Sequence, residues 1–480
     1  MKNGFLYFLS ILVIVIALID GKLFLKSQEG AEAQISNNEK GQIITTNPSL
    51  NLEVNENKNE PNNKITTLNE ENTPKISLYD EALSLLVSEK NNFIEVNFED
   101  KKTRLWENGE VYKEFSIIAT GDPDGWGGTP AGRYSVISKN EERYSSASNV
   151  YMPNAVGFYG KYFLHGEPYY QSGEKRFTDA TGGCVQYKDD DSKEIYDFAK
   201  HGMPILIIDK KNNFTLEKYP PEEQLEISAP NYLVADLDSG IILKEKNSKD
   251  KRPMASITKL MEAVVVTENI DLRNDILVQD FMLDGYGETN GLTDGKRFRL
   301  VELLYPLLIE SSNDAAQILS YFLGRIRTIE LMNAKAKNLL MEDTNFADAS
   351  GFNPANISTA EDIFRLTRYI ALNRPPIFQI TKGREVRAYG EVRFSDLKNK
   401  NIFFEYPDFV GGKTGYIVSS MYTGTFIFKM PINGKERNIA IVLLGSKNLE
   451  QGKENIHQDV FNILNWVKNN NSNIEIVRKS

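Results

Sequence analysis

Two short stretches of this 480-residue chain carry residues able to do covalent chemistry. The first is Thr181-Gly182-Gly183-Cys184-Val185-Gln186, which holds the only cysteine. A thiol with no intrachain partner cannot be a disulfide staple, so two readings stand: a small buried apolar residue, or a reactive thiolate. The glycines before it suit a tight turn with open backbone N–H groups. His165, directly before Gly166, offers a neutral imidazole that can take a thiol proton at physiological pH. The chain has only three histidines, so this pairing is not picked from a crowd. The second stretch is Ser256-Ile257-Thr258-Lys259. Positions i and i+3 share a helix face, so Lys259 can sit beside Ser256 Oγ. Ser256 falls in the first turn of its helix, where the dipole favours a developing negative charge. Lys259 can be a base only if burial or a neighbouring cation lowers its pKa.

The elements that must position these residues divide the chain. Length alone suggests two or three domains. The charge is acidic, with 56 Lys plus Arg against 66 Asp plus Glu and a net −10, which argues against nucleic acid as a partner. One Cys and three His leave no room for a Cys/His zinc cluster, so no metal and no cofactor is expected. Residues 1–26 hold an apolar run from Gly4 to Ile19 and read as a membrane anchor or signal sequence, with an uncleaved anchor favoured. Residues 27–75 are rich in Asn, Glu, Lys and Thr, too polar to bury a core, and read as a flexible linker. The body of the protein is therefore expected outside the cytoplasm, on the periplasmic or wall side, tethered to the plasma membrane, or secreted if the run is cleaved.

Residues 76–209 read as a β-rich domain. A helix is expected over Ser77 to Lys90, then strands over 93–98, 103–106, 111–120, up to Ser138, 162–164 and 204–208. Asp191-Ser192-Lys193-Glu194 has capping-box spacing and Gly202 suits a helix end. Residues 210–226, with Pro220-Pro221, read as a linker. Residues 227–480 read as a second domain: strands at 232–236 and 241–243, helices at 255–268, 300–309, 315–326, 328–340 and 359–372, strands at 402–404, 422–429 and 439–444, and a closing helix at 458–469. Strands first, helices in the middle and strands last give a sheet with a helical cluster on it, an α/β or α+β build.

The first domain resembles the L,D-transpeptidase catalytic domain from Asn92 to Asp209. The matching pieces are Thr129-Pro130-Ala131-Gly132-Arg133-Tyr134, Leu164-His165-Gly166, Gly183-Cys184-Val185 and Gly202-Met203-Pro204. The resemblance implies a mainly-β fold in which Cys184 attacks a peptidoglycan stem tetrapeptide, expels the terminal D-Ala and passes the acyl group to an amine of a neighbouring stem. It implies His165 as the base, Gly166 helping to orient it, and the N–H groups of Gly183 and Cys184 as the oxyanion hole, a contribution typically worth about 3 kcal/mol. The sequence departs from the family at Gly182, where a histidine is usual, and at Gln186.

The second domain resembles the serine D,D-carboxypeptidases of the penicillin-binding class from Ala229 to Lys468. Three motifs stand in family order: Ser256-Ile257-Thr258-Lys259, Ser311-Ser312-Asn313 and Lys413-Thr414-Gly415. Flanks such as Pro253-Met254-Ala255 and Met332-Asn333-Ala334-Lys335-Ala336-Lys337 agree. The resemblance implies a β-lactamase/transpeptidase-like fold in which Ser256 is acylated with Lys259 as base. Ser311 and Asn313 would relay protons and hold the peptide. Lys413 and Thr414, at a strand edge with Gly415, would bind the substrate carboxylate, and the N–H groups of Ser256 and Tyr416 would form the oxyanion hole. Ile417 stands where the family often has Thr.

The two resemblances together imply a bifunctional enzyme with peptidoglycan stem peptides as substrate and β-lactams as inhibitors. The serine domain would trim pentapeptide to the tetrapeptide that the cysteine domain needs. A wall-binding scaffold with one or both sites inactive, an L,D-carboxypeptidase and a D,D-endopeptidase stay open at this point.

Overall fold

A computed structural model describes residues 78–209, 225–283, 291–383, 394, 396–447 and 455–470. The expectations for 1–26, 27–75 and most of 210–226 fall outside these residues. Among the described residues no helix is long and apolar enough to cross a membrane.

The first domain comprises α1 (Leu78–Ser88), β1 (Phe93–Asn97), β2 (Lys102–Glu107), β3 (Glu110–Ser116), β4 (Gly132–Ser135), β5 (Ser138–Ser145), β6 (Val150–Tyr159), β7 (Tyr162–His165), β8 (Val185–Gln186), α2 (Asp189–Phe198) and β9 (Pro204–Ile208). These strands make two sheets, β3-β2-β1-β9-β4 and β5-β6-β7-β8, and the pairs β1/β9 and β7/β8 are parallel. The unbroken apolar run of β9 follows from its place in the sheet. Ile205 and Ile207 enter the main core with Ile94, Val96, Leu164 and Val185, while Leu206 and Ile208 pack on Tyr79 and Ala82 of α1. A strand covered on both faces has no polar side to alternate with.

The second domain begins with β10 (Asn231–Asp236), β11 (Ile242–Lys246) and β12 (Arg252–Pro253), then α3 (Thr258–Asn269), β13 (Asp275–Leu277) and β14 (Arg297–Arg299). It continues through α4 (Leu300–Tyr305), α5 (Asn313–Leu323), α6 (Arg325–Asn338), β15 (Ile357–Ser358), α7 (Ala360–Asn373) and α8 (Pro375–Thr381). It closes with β16 (Phe409–Ile417), β17 (Met421–Ile432), β18 (Lys435–Ser446) and α9 (Asn455–Asn469). The main sheet is antiparallel, ordered β11-β10-β18-β17-β16. Leu233, Ala235, Ala440, Val442 and Leu444 face the helices, and Val234, Ile439, Ile441 and Leu443 face α9 through Val460 and Ile463. This period of two is what lets one sheet serve two cores. α3 has no exposed face from Thr258 to Glu268, because it runs through the middle of the helical layer, and its polar residues Lys259, Glu262 and Glu268 are buried with the rest.

The structure differs from the expectation in several places. Residues 402–404 are not a strand but part of the short 3₁₀ turn Ile402–Glu405, nucleated by Asn401, whose side chain accepts from Phe403 N. A short apolar run carries too little period to tell strand from turn. The helix expected to start in a box at 191–194 starts at Asp189 without a side-chain cap, and Asp189 Oδ1 instead accepts from Glu167 N. The helix expected over 300–309 becomes a π turn, Pro306–Glu310, and stops at Ser311 in the left-handed region (φ 61°). The expected strands do not include β5, which is almost wholly polar, β6 or β16. β17 and β18 run longer than expected, to a tight Asn433-Gly434 turn with both residues at positive φ, a pair whose hairpin preference is readable in sequence.

Two candidate active sites

The serine site assembles at the start of α3. Ser256 sits in a single 3₁₀ turn, Ala255–Ile257, that feeds the helix. The turn is held tightly: a Cβ on Gly351 would lie 2.0 Å from Ala255 O, and one on Gly415 would lie 2.7 Å from Ser256 N. Glycine at both positions lets backbone close on the nucleophile from two sides. One helical turn on, Lys259 is fully buried, with Nζ 3.1 Å from Ser256 Oγ, 2.8 Å from Asn313 Oδ1 and 2.6 Å from Ser350 O. Asn313 opens α5, which Ser312 caps by accepting from Ala315 N. Lys413, on edge strand β16, donates to Ser311 Oγ at 2.8 Å and to Thr414 O at 2.8 Å. Tyr416 is exposed beyond it and packs on Tyr422. The three motifs, spread over some 160 positions, are therefore brought within hydrogen-bond range of one another in two groups, Ser256–Lys259–Asn313 and Ser311–Lys413.

The electrostatics favour a neutral amine at Lys413. Burial, then the charge of Lys259, pushes the Lys413 pKa well below the usual lysine range. Glu262, one turn after Lys259, is fully buried, and among the described residues neither of its carboxylate oxygens has a hydrogen-bond partner. Burial raises its pKa well above the carboxylate range despite Lys259. A neutral Glu262 does not hold a proton on the lysine, as a carboxylate would. Ser350 and Glu262 were not singled out from sequence, and no local pattern marks either.

The cysteine site lies where β7 and β8 run parallel, with Leu164 opposite Val185 and His165 opposite Gln186. That register carries His165 and Cys184 to one cavity of about 360 Å³, also lined by Trp126, Lys161, Arg176 and Gly182. His165 is buried, and its Nδ1 lies 2.6 Å from Gly166 O. The carbonyl can only accept, so Nδ1 carries the hydrogen and Nε2 the lone pair. Burial lowers this imidazole to about 4, against the Gly166 hydrogen bond. Cys184 is half-exposed as a residue, but loss of water around its thiol pushes the thiol up to about 11, opposed by the Phe163 N–H and by Lys161. Gly183 needs its glycine, with φ +113° and a Cβ position 2.1 Å from the Tyr162 ring. Its N–H, expected in the oxyanion hole, is given to Thr181 Oγ1 at 3.1 Å, and that hydroxyl donates to Cys184 O at 2.6 Å. At Gly182, where the histidine is absent, a Cβ would meet nothing within 4 Å. Among the described residues no group of three or more His, Cys, Asp or Glu could hold a metal ion.

Sequence reasoning missed the charged cluster where the two domains meet. Glu268, near the end of α3, pairs with Lys335 Nζ at 2.8 Å and Arg374 Nη2 at 2.9 Å, all fully buried. Lys335 also donates to Tyr134 and Tyr369, and Arg374 donates to Gly128 O and Tyr162 OH, both at 2.9 Å. Lys335 stands in a flank already noted as family-like, but its partners are contributed from as far away as Tyr134, and no spacing rule reaches that far.

Comparison with known proteins follows the same division. A family model described as D-alanyl-D-alanine carboxypeptidase matches residues 218–447, and one described as L,D-transpeptidase catalytic domain matches 91–207, which includes His165 and Cys184. The D-alanyl-D-alanine carboxypeptidase DacB2 of Mycobacterium tuberculosis is 32% identical over 221 residues, 45% of this chain and 74% of the relative. A D-alanyl-D-alanine endopeptidase of Haemophilus influenzae is 34% identical over 209 residues, 42% of this chain and 70% of the relative. The crystal structure of a D-alanyl-D-alanine carboxypeptidase from Mycobacterium tuberculosis covers 54% of this chain and 98% of its own, at 25% identity and a TM-score of 0.48. Residues 91–207, ahead of the second domain, match the model of an L,D-transpeptidase catalytic domain, and through its second domain the chain belongs to the D-alanyl-D-alanine carboxypeptidase family.

Proposed function

We propose that the chain is a bifunctional peptidoglycan enzyme: a serine D,D-carboxypeptidase that makes tetrapeptide stems and a cysteine L,D-transpeptidase that joins them. The observation that carries the reading is the Ser256–Lys259–Asn313 constellation. A neutral amine has two N–H donors and one lone pair. Asn313 Oδ1 and Ser350 O are acceptors, so in the neutral form the two N–H groups go to them and the lone pair is left for the Ser256 hydroxyl, whose Oγ lies 3.1 Å from Nζ. Lys259 then takes the hydroxyl proton as Ser256 Oγ attacks the carbonyl of the D-Ala–D-Ala bond, and the leaving amine collects a proton as the bond breaks. Water resolves the acyl-Ser256 ester. Lys413 and Thr414 bind the terminal carboxylate, Gly415 lets the strand close on the backbone of Ser256, and Tyr416 N–H with Ser256 N–H meets the oxyanion.

At the other site His165 Nε2 takes the Cys184 proton as the thiolate attacks the carbonyl of the third stem residue. D-Ala leaves, and an amine of a second stem takes the acyl group. The support is the tautomer fixed by Gly166 O and the cavity shared by the two side chains. Both substrates lie outside the cytoplasm, which agrees with an exported, membrane-tethered or secreted enzyme. β-Lactams are the expected inhibitors.

Pure protein given pentapeptide muropeptides, with products read by mass spectrometry, tests the whole reading. Tetrapeptide should form in wild type and Cys184→Ala but not in Ser256→Ala. Cross-links between third residues should form from tetrapeptide in wild type and not in Cys184→Ala. A second reading of the serine site, D,D-endopeptidase, draws on the similarity to the Haemophilus influenzae endopeptidase. Cleavage of cross-linked dimers faster than of pentapeptide would favour it.

A further inference from the structure

We propose that the second domain is part of the cysteine site, and that Arg273 in the turn after α3 binds a carboxylate of the peptide on which Cys184 acts. The inference rests on the acyl-transfer reading of Cys184 above. One wall of the cavity around Cys184 and His165 is not made by the transpeptidase-like domain at all. Thr267, Asp271, Leu272 and Arg273 supply it.

The packing fixes that wall in place. The hairpin turn between β6 and β7 leads directly into His165, and it is seated on the C-terminus of α3. Lys161 Nζ donates to Thr267 O at 2.9 Å and Ile270 O at 3.1 Å. These are terminal helix carbonyls, which lack intrahelical donors and attract a cation. Gly160 has φ +50°, and a Cβ there would lie 2.8 Å from Glu268 O, so backbone meets backbone. Asn269 Nδ2 donates to Tyr159 OH at 3.3 Å. Beneath, Arg374 of the second domain braces Tyr162, the ring against which Gly183 is packed, and Gly128 O. The thiol, its turn and the foreign wall are thus parts of one packing arrangement.

The charge on the wall indicates what it would bind. The chain carries net −10, yet the cavity lining holds Lys161, Arg176 and Arg273 against Asp271 as the one carboxylate. Arg176 has no ion-pair partner among the described residues. The Arg273 fork is oriented in advance: Nε and Nη2 bond to Asp271 at 2.9 and 2.6 Å, and Nη2 reaches Ala147 O of the first domain at 3.3 Å. A guanidinium held in place by Asp271, sharing the cavity lining with Lys161 and Arg176, leaves the lining with a surplus of positive charge that suits a carboxylate. Stem peptides present carboxylates, so the second domain would select the donor or acceptor strand for the first.

Alkylation of Cys184 in the full chain tests this without any peptide. Iodoacetate and iodoacetamide both form the S–C bond and expel iodide, but only iodoacetate carries a carboxylate. The ratio of their rate constants should fall about fivefold in Arg273→Gln, the size of a half-exposed ion pair, and be restored only in part in Arg273→Lys, which keeps the charge but not the fork. The iodoacetamide rate alone, and acylation of Ser256 by a fluorescent penicillin, should not move, which reports an intact thiol and an intact second domain. On tetrapeptide, Arg273→Gln should raise KM and leave kcat unchanged. An unchanged alkylation ratio in Arg273→Gln overturns the proposal. Failure of wild type to turn over tetrapeptide overturns the acyl-transfer reading, while the alkylation ratio still reads the carboxylate contact by itself.

Discussion

Ser256 and Cys184 sit in opposite chemical surroundings. The serine has its proposed base already in hydrogen-bond contact, Lys259 Nζ at 3.1 Å, and Asn313 and Ser350, which hold that amine, come from the same domain. The cysteine starts as a neutral pair, with the thiol held near 11 and the imidazole near 4, both through burial. Its cavity is completed by residues of the other domain. A hydroxyl is too weak an acid to be left without a base in contact, so that contact is built permanently. A thiol can wait: a buried neutral pair needs no stabilising charges at rest, and the substrate's developing oxyanion arrives together with the proton transfer. Lys413 and Glu262 sharpen the contrast, since burial drives both toward neutrality on either side of Lys259.

The largest expected effect separates the two nucleophiles. Ser256→Ala should reduce penicillin acylation by about 10⁶-fold, as loss of a serine nucleophile does elsewhere, and leave Cys184 alkylation untouched. Residual labelling at another residue would remove Ser256 from its role. Next is the shared cluster. Glu268→Gln leaves Lys335 and Arg374 buried without their carboxylate, which should cost roughly 3–5 kcal/mol in urea unfolding. Because the cluster draws on both domains, the transition should shift as one. Separate transitions for the two domains would show that the cysteine site does not depend on its neighbour.

The pH profile probes the neutral pair. With the thiol near 11, the thiolate fraction rises with pH, so iodoacetamide alkylation of Cys184 should climb about tenfold per pH unit between 7 and 10. A plateau reached by pH 7 would mean a resting thiolate–imidazolium pair and would erase the difference from the serine site. The smallest effect is expected at Gly182. Its Cβ position is open, so Gly182→His should alter stability by no more than about 0.5 kcal/mol and change Cys184 alkylation only a few-fold. A large loss of stability there would show that the family's histidine does not fit this turn.

Much of this was legible in the chain itself. The apolar run of β9, the Ser-x-x-Lys spacing on α3 and the ordered second and third motifs each rest on local rules of period or spacing. What local rules could not show has a common cause. β5 is a strand because β6 pairs with it, not because Ser138–Ser145 has any apolar alternation. Residues 402–405 turn because Asn401 caps them. The N–H of Gly183 is occupied because the Thr181 hydroxyl folds back onto it. Lys335 was visible as a family-like flank, but its partners Tyr134, Glu268 and Tyr369 are not neighbours in sequence.

The amino-acid sequence by itself determined which atoms are candidates to react: the one thiol, the serine whose Ser-x-x-Lys spacing is followed in order by Ser311-Ser312-Asn313 and Lys413-Thr414-Gly415, and the two domains that carry them. Only the tertiary structure decided the company they keep. It brought Asn313 and Ser350 to Lys259, left Glu262 buried without a hydrogen-bond partner among the described residues, and set Arg273 of one domain on the wall of the other's cavity. The reason is physical. Nucleophile identity is a covalent property of a residue, whereas pKa, orientation and selectivity depend on charges and dipoles a few ångströms away, which folding draws from anywhere in the chain.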